Sequence, residues 1–198
     1  MTAHTADLHA PIETGGLRAA AIVDDGACDV DALLAAMARG QQSAGRRVRG
    51  VLMTHPDGDA GCAGAMVLVD LHTQEEYLVS QPMGRDSTAC RADPQGFARA
   101  SDVLRRAASE APELVVSNRF GGLEAEGGGF CAELLDILAQ DLPLLTTVAK
   151  RHVADWQRFT GGATVLPAQA DVVAEWLAAT LGGVDRDGFH GAEWPEPT

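Results

Sequence analysis

A segment rich in arginine and hydroxyl side chains lies between residues 81 and 91, directly before a helix start predicted at Asp93-Pro94. Guanidinium groups, hydroxyls and the N–H groups near a helix N-terminus together suit a tetrahedral oxyanion such as phosphate, sulfate or molybdate. The segment also fits a solvated connector between a hairpin and a helix, and both interpretations stay open. Its candidate anion ligands are Arg85, Ser87, Thr88, Cys90 and Arg91.

A second candidate group follows the strand-like run 113–117. Asn118 carries a hydrogen-bond donor and an acceptor, and Arg119 carries a guanidinium that can bind an anion through two N–H groups. The glycines at 121 and 122 favour a ligand-facing turn, although a turn that only ends the strand is the alternative. Lys150 is the single lysine of the chain and follows another strand-like run, so it joins these expected anion ligands.

Two carboxylates, Glu124 and Glu126, precede three consecutive glycines at 127–129. At this point they can anchor Arg119 or stabilise the N-terminus of the next helix electrostatically. We expect this supporting role beside the cleft in preference to catalysis, and we assign no catalytic residue.

The turn after the first strand-like run, 17–23, is acidic. Asp24, Asp25 and Gly26 form it, and Asp29 is placed to cap a helix that begins near residue 30. A phosphate-binding Walker loop at this position would supply glycines, a lysine and a Ser or Thr, and the lysine is absent. Such a turn repels a polyphosphate unless a metal ion or arginines intervene. We expect the turn to lie in the cleft, with Arg119 or Lys150 paired to its carboxylates.

Strand-like and helical patterns alternate along the chain and would bring these groups together. This alternation predicts an α/β fold with a parallel sheet, right-handed crossovers and an antiparallel hairpin at one side. Ligands in such sheets bind beyond the carboxyl ends of the strands, where the candidate residues are expected. The expected strands are 17–23, 48–54, 113–117 and 144–149, with a hairpin at 65–80 and helices beginning near 30, 93, 130 and 168.

Composition limits the function classes. The chain has 15 Lys and Arg against 28 Asp and Glu, and its net charge of -13 argues against nucleic acid as a partner. No apolar run approaches the roughly 18 residues that span a bilayer, so we expect no membrane insertion and a cytoplasmic protein. We expect one α/β domain over 15–183 between tails at 1–14 and 184–198.

Metal-binding residue types are present but poorly arranged. The four cysteines are widely separated and are expected to be free thiols. The segment from His55 to Cys62 contains imidazole, carboxylate and thiol groups, yet its spacing matches no established metal site. A hairpin loop explains it better, because Pro-Asp-Gly is ordinary turn chemistry.

The layout resembles the small nucleoside-triphosphatase family first known from thermophiles, which has a P-loop fold of about this length. Counterparts of that family's "GFYT"-like strand, its carboxylate segment and its "ATVH"-like strand are 50–54, 118–124 and 146–149. The family's Asp-Glu pair, which holds magnesium and activates water, is replaced here by Asn118-Arg119. The resemblance therefore implies a three-layer P-loop-NTPase-like fold with degenerate Walker motifs.

The chain is more closely similar to a bacterial domain-of-unknown-function family, DUF2478-like, often met near molybdenum-transport genes. The shared signature N-[KR]-F-G-x-x-E-A-E-G reads NRFGGLEAEG at residues 118–127. This resemblance covers roughly residues 17–182 and implies the handling of molybdenum or tungsten oxyanions.

Three function classes follow. The leading one is a non-hydrolytic accessory protein, a pseudo-NTPase that binds molybdate, tungstate or phosphate as a small anion. The second is an active nucleoside triphosphatase, in which Asp24 and Asp25 hold magnesium while Arg85, Arg91 or Arg119 neutralises the phosphates. The third is a protein-binding adaptor with a vestigial cleft. A homo-oligomer is compatible with each class.

Overall fold

A seven-stranded sheet lies at the centre of the fold in the computed structural model, which describes residues 16–54, 66–82 and 90–182. Two further strands pair with each other separately. In chain order the strands are β1 (Ala19–Asp24), β2 (Val48–Thr54), β3 (Val67–Asp70), β4 (Glu76–Leu78), β5 (Ser80–Pro82), β6 (Cys90–Ala92), β7 (Leu114–Val116), β8 (Leu144–Ala149) and β9 (Thr164–Leu166).

The large sheet is parallel over five strands and antiparallel at one side. Its strands pair in the order β4-β3-β2-β7-β8-β1-β9. The pairs among β2, β7, β8, β1 and β9 are parallel, whereas β3 pairs antiparallel with both β2 and β4. The predicted parallel sheet with a hairpin at one side is therefore confirmed.

Helices cover both faces of this sheet. One face packs against α1 and α6, and the other packs against α2, α4 and α5, which confirms the three-layer arrangement. A 3-10 turn, Lys150–His152, precedes α5. The helices are α1 (Val30–Ser43), α2 (Pro94–Ser109), α3 (Gly122–Ala125), α4 (Cys131–Ala139), α5 (Val153–Thr160) and α6 (Ala170–Gly182).

Strand β1 explains how the sheet is buried on both faces. Ala19 and Ala21 contact the cluster around α2, α4 and α5, whereas Ala20 and Ile22 contact the cluster around α1 and α6. All four are fully buried, which is why the strand reads as a continuous apolar run instead of an alternating one. The helices that follow the neighbouring strands β1 and β8 lie on opposite faces, and this divergence leaves a crevice at the carboxyl edge.

Two helix starts follow their sequence signals. Asp29 Oδ1 accepts a hydrogen bond of 2.9 Å from the Ala32 N–H at the start of α1. Asp93 Oδ1 accepts one of 3.1 Å from the Gln95 N–H at the start of α2, where Pro94 is the first helical residue. Both are N-caps that satisfy an otherwise unpaired helix donor.

Some predicted features lie outside the described residues, namely the tails 1–14 and 184–198 and the loop from His55 to Cys62. Other elements were missed from the sequence, namely β5, β6, α3, α5 and β9. Strands of three residues are too short for a pattern to develop, and β9 lies at the edge of the sheet. None of the described helices is long and apolar enough to cross a membrane.

Candidate functional site

A cleft opens at the carboxyl edge of the sheet, between the end of β1, the first turn of α1 and the residues that follow β7. Its volume is about 470 Å³. The end of β2 and the residue ahead of β3 complete its wall. The described residues that line it are Asp24, Cys28, Asp29, Val30, Asp31, Met53, Met66, Asn118 and Arg119.

The guanidinium of Arg119 bridges two carboxylates in this cleft. Its Nη1 lies 3.0 Å from Asp24 Oδ2, and its Nη2 lies 3.5 Å from Asp31 Oδ2. The Arg119 side chain is 37% exposed, so the guanidinium is held in place and still reachable from solvent. The two ion pairs tie the residue after β7 to both β1 and α1.

Asp24 and Asp25 have different roles although they are neighbours. Asp24 Oδ1 accepts a hydrogen bond of 3.1 Å from the Gly26 N–H, while its other oxygen faces Arg119. Asp25 Oδ1 accepts one of 3.0 Å from the Ala27 N–H. Gly26 has φ +82°, the left-handed conformation that favours glycine. Asp25 and Gly26 thus shape the turn beside the cleft without lining it, whereas Asp24 lines it.

Asn118 is buried, with 7% exposure, and lines the cleft next to Arg119. Its backbone carbonyl accepts a hydrogen bond of 2.6 Å from Thr146 Oγ1 of β8, which fixes the turn after β7. None of the described residues hydrogen-bonds to its side-chain amide. This amide lines the cleft and can donate and accept hydrogen bonds, so it is available to a ligand.

The N-terminus of α1 lies at the cleft, because Asp29, Val30 and Asp31 belong to its cap and first turn. A helix N-terminus carries partial positive charge and attracts anions. Here Asp29 and Asp31 already place two carboxylates beside it. An external anion at this point must share the helix end with them.

The charges of the described lining are unequal. Three carboxylates, Asp24, Asp29 and Asp31, accompany a single guanidinium. An anion that enters must therefore compete with Asp24 and Asp31 for Arg119. Within the described residues, no group of three or more His, Cys, Asp or Glu side chains is arranged to hold a metal ion.

Glu124 and Glu126 do not line the described cleft. Glu124 is buried, and its two oxygens accept hydrogen bonds from the Gly121 N–H at 3.0 Å and the Phe130 N–H at 3.2 Å. These contacts close the loop that leads into α4. Glu126 is exposed at the end of α3. Glu124 therefore contacts the start of the following helix, α4, as one of the two expectations had it. It does not anchor Arg119, which pairs with Asp24 and Asp31.

The other expected anion ligands are not among the described residues that line this cleft. Lys150 is exposed in the 3-10 turn after β8 and is not among the described residues that line the cleft. Arg85, Ser87 and Thr88 lie outside the described residues. Cys90 and Arg91 begin β6, where only the backbone is described. The oxyanion site at 81–91 therefore stays a prediction.

Sequence reasoning missed the part that Asp31 takes. An acidic residue in the first turn of a helix is common, so nothing local distinguishes Asp31 from its neighbours. Its contact with Arg119 joins residues 88 positions apart and becomes visible only in the folded chain. Met53 near the end of β2 and Met66 just before β3 were also missed, because nothing in the sequence distinguishes an apolar side chain that lines a cleft from one in the core.

Two solved structures have a fold similar to that of this chain. The chain is similar in structure to THEP1 from the hyperthermophile Aquifex aeolicus, with a TM-score of 0.60, 14% identity, and coverage of 85% of this chain and 99% of that one. It is also similar to a human cancer-related nucleoside triphosphatase, with a TM-score of 0.58, 15% identity, and coverage of 86% and 98%. The chain therefore has a P-loop-NTPase-like fold, and identities this low show the fold alone.

The family is shown directly by sequence. The chain belongs to the family described as "Protein of unknown function (DUF2478)", whose model matches residues 19–176. The match contains all described residues of the cleft lining and the signature at 118–127. The resemblance inferred from that signature is thereby confirmed.

One relative carries a functional name. The chain is 34% identical over 170 residues to the molybdenum import ATP-binding protein ModC 2 of Bradyrhizobium diazoefficiens. The match covers 85% of this chain and 19% of that protein. The chain thus spans about a fifth of the length of this relative.

Proposed function

We propose that the chain is a non-hydrolytic accessory protein that binds a small tetrahedral oxyanion in the cleft at the carboxyl edge, with molybdate or tungstate as the expected ligand. One observation carries the proposal. Arg119 places a solvent-reachable guanidinium beside the first turn of α1, and Asp24 and Asp31 hold it there.

The donors around the cleft suit a tetrahedral oxyanion. The guanidinium of Arg119 has five N–H groups, of which the two ion pairs engage only some. The side-chain amide of Asn118 adds N–H donors from a buried position. Charge-assisted hydrogen bonds of this kind contribute on the order of 1.5–3 kcal/mol each when desolvated. Arg119 would supply the charge, and Asn118 would supply orientation.

The carboxylates favour a small anion over a nucleoside triphosphate. A triphosphate would bring several negative charges toward Asp24, Asp29 and Asp31, and like charges at short distance repel. The acidic turn contains no lysine to offset that repulsion. A compact dianion brings less negative charge to these carboxylates than a triphosphate does. This argument supports binding without hydrolysis.

The ligand is suggested by the relative named as a molybdenum import ATP-binding protein. Because the chain matches only 19% of that protein, the ATP-binding activity in its name can belong to the remaining length. From this relative we therefore transfer to the chain a role in molybdenum metabolism and molybdate as the expected ligand. ATP turnover is not carried over.

A magnesium-dependent nucleoside triphosphatase is the second candidate. The observation that favours it is the pair of carboxylates, Asp24 and Asp31, that converge beside Arg119, because magnesium prefers hard oxygen ligands. One of the structural neighbours is a nucleoside triphosphatase by name. In this case Asp24 and Asp31 would face a metal ion, and Arg119 would face a phosphate.

Thermal unfolding and phosphate release together separate the two candidates. Molybdate, tungstate, sulfate and phosphate are screened in parallel with Mg-ATP and Mg-GTP. A ligand at 100 times its Kd stabilises the native state by roughly 2.7 kcal/mol, so a clear rise in Tm is expected with molybdate or tungstate. The rate of phosphate release from Mg-ATP and Mg-GTP should equal the rate in buffer without protein. Sustained release that disappears in Asp24→Asn would replace our proposal with the triphosphatase.

A further inference from the structure

A second concave site lies at the opposite, amino-terminal edge of the sheet. Its volume is about 580 Å³. Prolines and leucines form much of its wall, and Arg18, Arg46, Arg47 and Glu113 supply its charged groups. None of these residues belongs to the cleft at the carboxyl edge.

The topology brings the arginines to this cavity from two directions. Arg18 directly precedes β1, while Arg46 and Arg47 precede β2. In the sheet these strands are separated by β7 and β8, which corresponds to about 14 Å at the usual spacing of neighbouring strands. The start of β7 and the start of β8 lie between them, marked by Glu113 and Pro143. Although these strand starts lie apart, Arg18 and Arg46 both reach the last turn of α6, so their guanidinium groups converge on the cavity.

A backbone carbonyl orients each guanidinium by accepting a hydrogen bond from one of its nitrogens. Arg18 Nη2 donates to the Thr180 carbonyl at 3.0 Å, and Arg46 Nη1 donates to the Leu181 carbonyl at 3.3 Å. Arg47 Nη2 donates to the carbonyl of residue 111 at 3.2 Å. Since a guanidinium carries five N–H groups, further donors remain on each side chain.

The cavity is positive in a molecule that is strongly negative. Three guanidinium groups accompany one carboxylate in its lining, whereas the whole chain has a net charge of -13. Glu113 is engaged locally: its Oε2 accepts a hydrogen bond of 2.9 Å from the Arg47 N–H, and its Oε1 lies 3.6 Å from Arg46 Nη1. The lining keeps a surplus of positive charge after this pairing.

We propose that this amino-edge cavity binds a small polyanion of the polyphosphate class. Three guanidinium groups around one cavity fit a ligand that has several anionic groups, and arginine contacts phosphate oxygens through two N–H groups at once. A single small oxyanion offers fewer oxygens and less charge to these three groups. The alternative is that Arg18 and Arg46 only stabilise the last turn of α6, whose carbonyls they contact.

Calorimetric titration with inorganic tripolyphosphate tests the proposal, with orthophosphate for comparison. We expect tripolyphosphate to bind the parent protein more tightly than orthophosphate, with an affinity that falls as salt is raised. Arg47→Gln should weaken binding by roughly tenfold, the loss expected for one charge-assisted contact. Glu113→Gln should tighten binding, because it removes the carboxylate of the cavity. Arg158→Gln on the exposed face of α5 is the control, with no expected change.

Arg119→Gln separates this cavity from the cleft at the other edge. Tripolyphosphate binding to the amino-edge cavity should persist in this variant. Binding that disappears with Arg119→Gln would locate the polyanion in the cleft and overturn the amino-edge proposal. Absence of binding to the parent, or equal affinity in the parent, Arg18→Gln and Arg47→Gln, would also overturn it. A lower Tm in Arg18→Gln without any change in affinity would assign that arginine to α6 alone.

Discussion

Arg119 carries the positive charge in the described lining of the cleft, and two aspartates restrain it. The restraint has two opposite effects on an anion. It keeps the guanidinium in one orientation, which lowers the entropy lost on binding, and it places negative charge next to the ligand. The balance between these effects decides how tightly an oxyanion binds.

Substitution of Asp24 by Asn tests this balance. Asn retains an oxygen that can accept the hydrogen bond from the Gly26 N–H, so the turn should persist, while the charge facing Arg119 is removed. We expect molybdate affinity to rise several-fold, because less negative charge competes for the guanidinium. Isothermal titration calorimetry of molybdate into the parent and the variant measures this change in affinity.

Asp25→Asn is the matched control for that variant. Asp25 contacts only its own turn among the described residues, so its substitution should change molybdate affinity much less than Asp24→Asn. A decrease in affinity in Asp24→Asn would contradict the competition model. It would mean that Asp24 is needed to orient Arg119 toward the ligand.

Part of the site could be predicted from individual residues. Asn118 and Arg119 were found because polar side chains directly follow a buried apolar run, and this places them at a strand end. Asp24 was found in the same way. The contact between Asp31 and Arg119 could not be predicted, because it depends on how α1 packs against the end of β7.

The N-terminus of α1 depends on Asp29. Its side chain caps the Ala32 N–H at 2.9 Å. Asp29→Ala should lower the free energy of unfolding by about 1 kcal/mol, the usual contribution of an N-cap. Urea unfolding followed by circular dichroism measures this change. An unchanged midpoint would mean that water replaces the cap without loss.

The loop before α4 depends on a glycine. Gly129 has φ +55°, and a Cβ added there would lie 2.0 Å from Glu124 Oε1. Gly129→Ala should therefore displace the buried carboxylate and lower the free energy of unfolding by more than about 1 kcal/mol. Gly161→Ala is the control, since Gly161 also has a positive φ but has nothing within 4 Å of an added Cβ. Equal losses in the two variants would exclude a role for Glu124.

One ion pair gives stability a defined pH dependence. The hydrogen bond from Arg49 lowers the pKa of Glu110 from its usual value of 4.5. The stabilisation from this pair is present above the unfolded-state pKa and is lost as the pH falls through the lower folded-state pKa. Glu110 is 39% exposed, so the effect should remain below about 1 kcal/mol. The Tm difference between the parent and Glu110→Gln should shrink toward pH 3; a constant difference would contradict this assignment.

Most of the sheet could be predicted because its central strands are apolar runs bounded by turns. The expected strands 48–54 and 144–149 coincide with β2 and β8. The elements α5 and β9 were missed, because eight and three residues give little periodicity and their place is fixed by packing on the sheet. Trp156 shows this dependence, since it is fully buried against the cluster that contains β1 and β8.

Across the whole molecule, arginine side chains line a concave site at each end of the sheet. The chain has a net charge of -13, yet Arg119 lies in the cleft at the carboxyl edge and three arginines line the cavity at the amino edge. Such local fields can bind anions that the overall charge would repel, because screening limits the range of the surrounding negative charge to roughly 8 Å at physiological salt. We therefore expect anion binding by this protein to be confined to these edges.

Calorimetric titration of molybdate into the parent protein and into Arg119→Gln is the most direct test of the proposed function. We expect saturable binding to the parent at one site per chain. Arg119→Gln should weaken that binding by tenfold or more, in line with the loss of on the order of 1.5–3 kcal/mol for a charge-assisted hydrogen bond. No heat of binding with the parent protein, or the same affinity in both proteins, would contradict the proposal that Arg119 forms an oxyanion site.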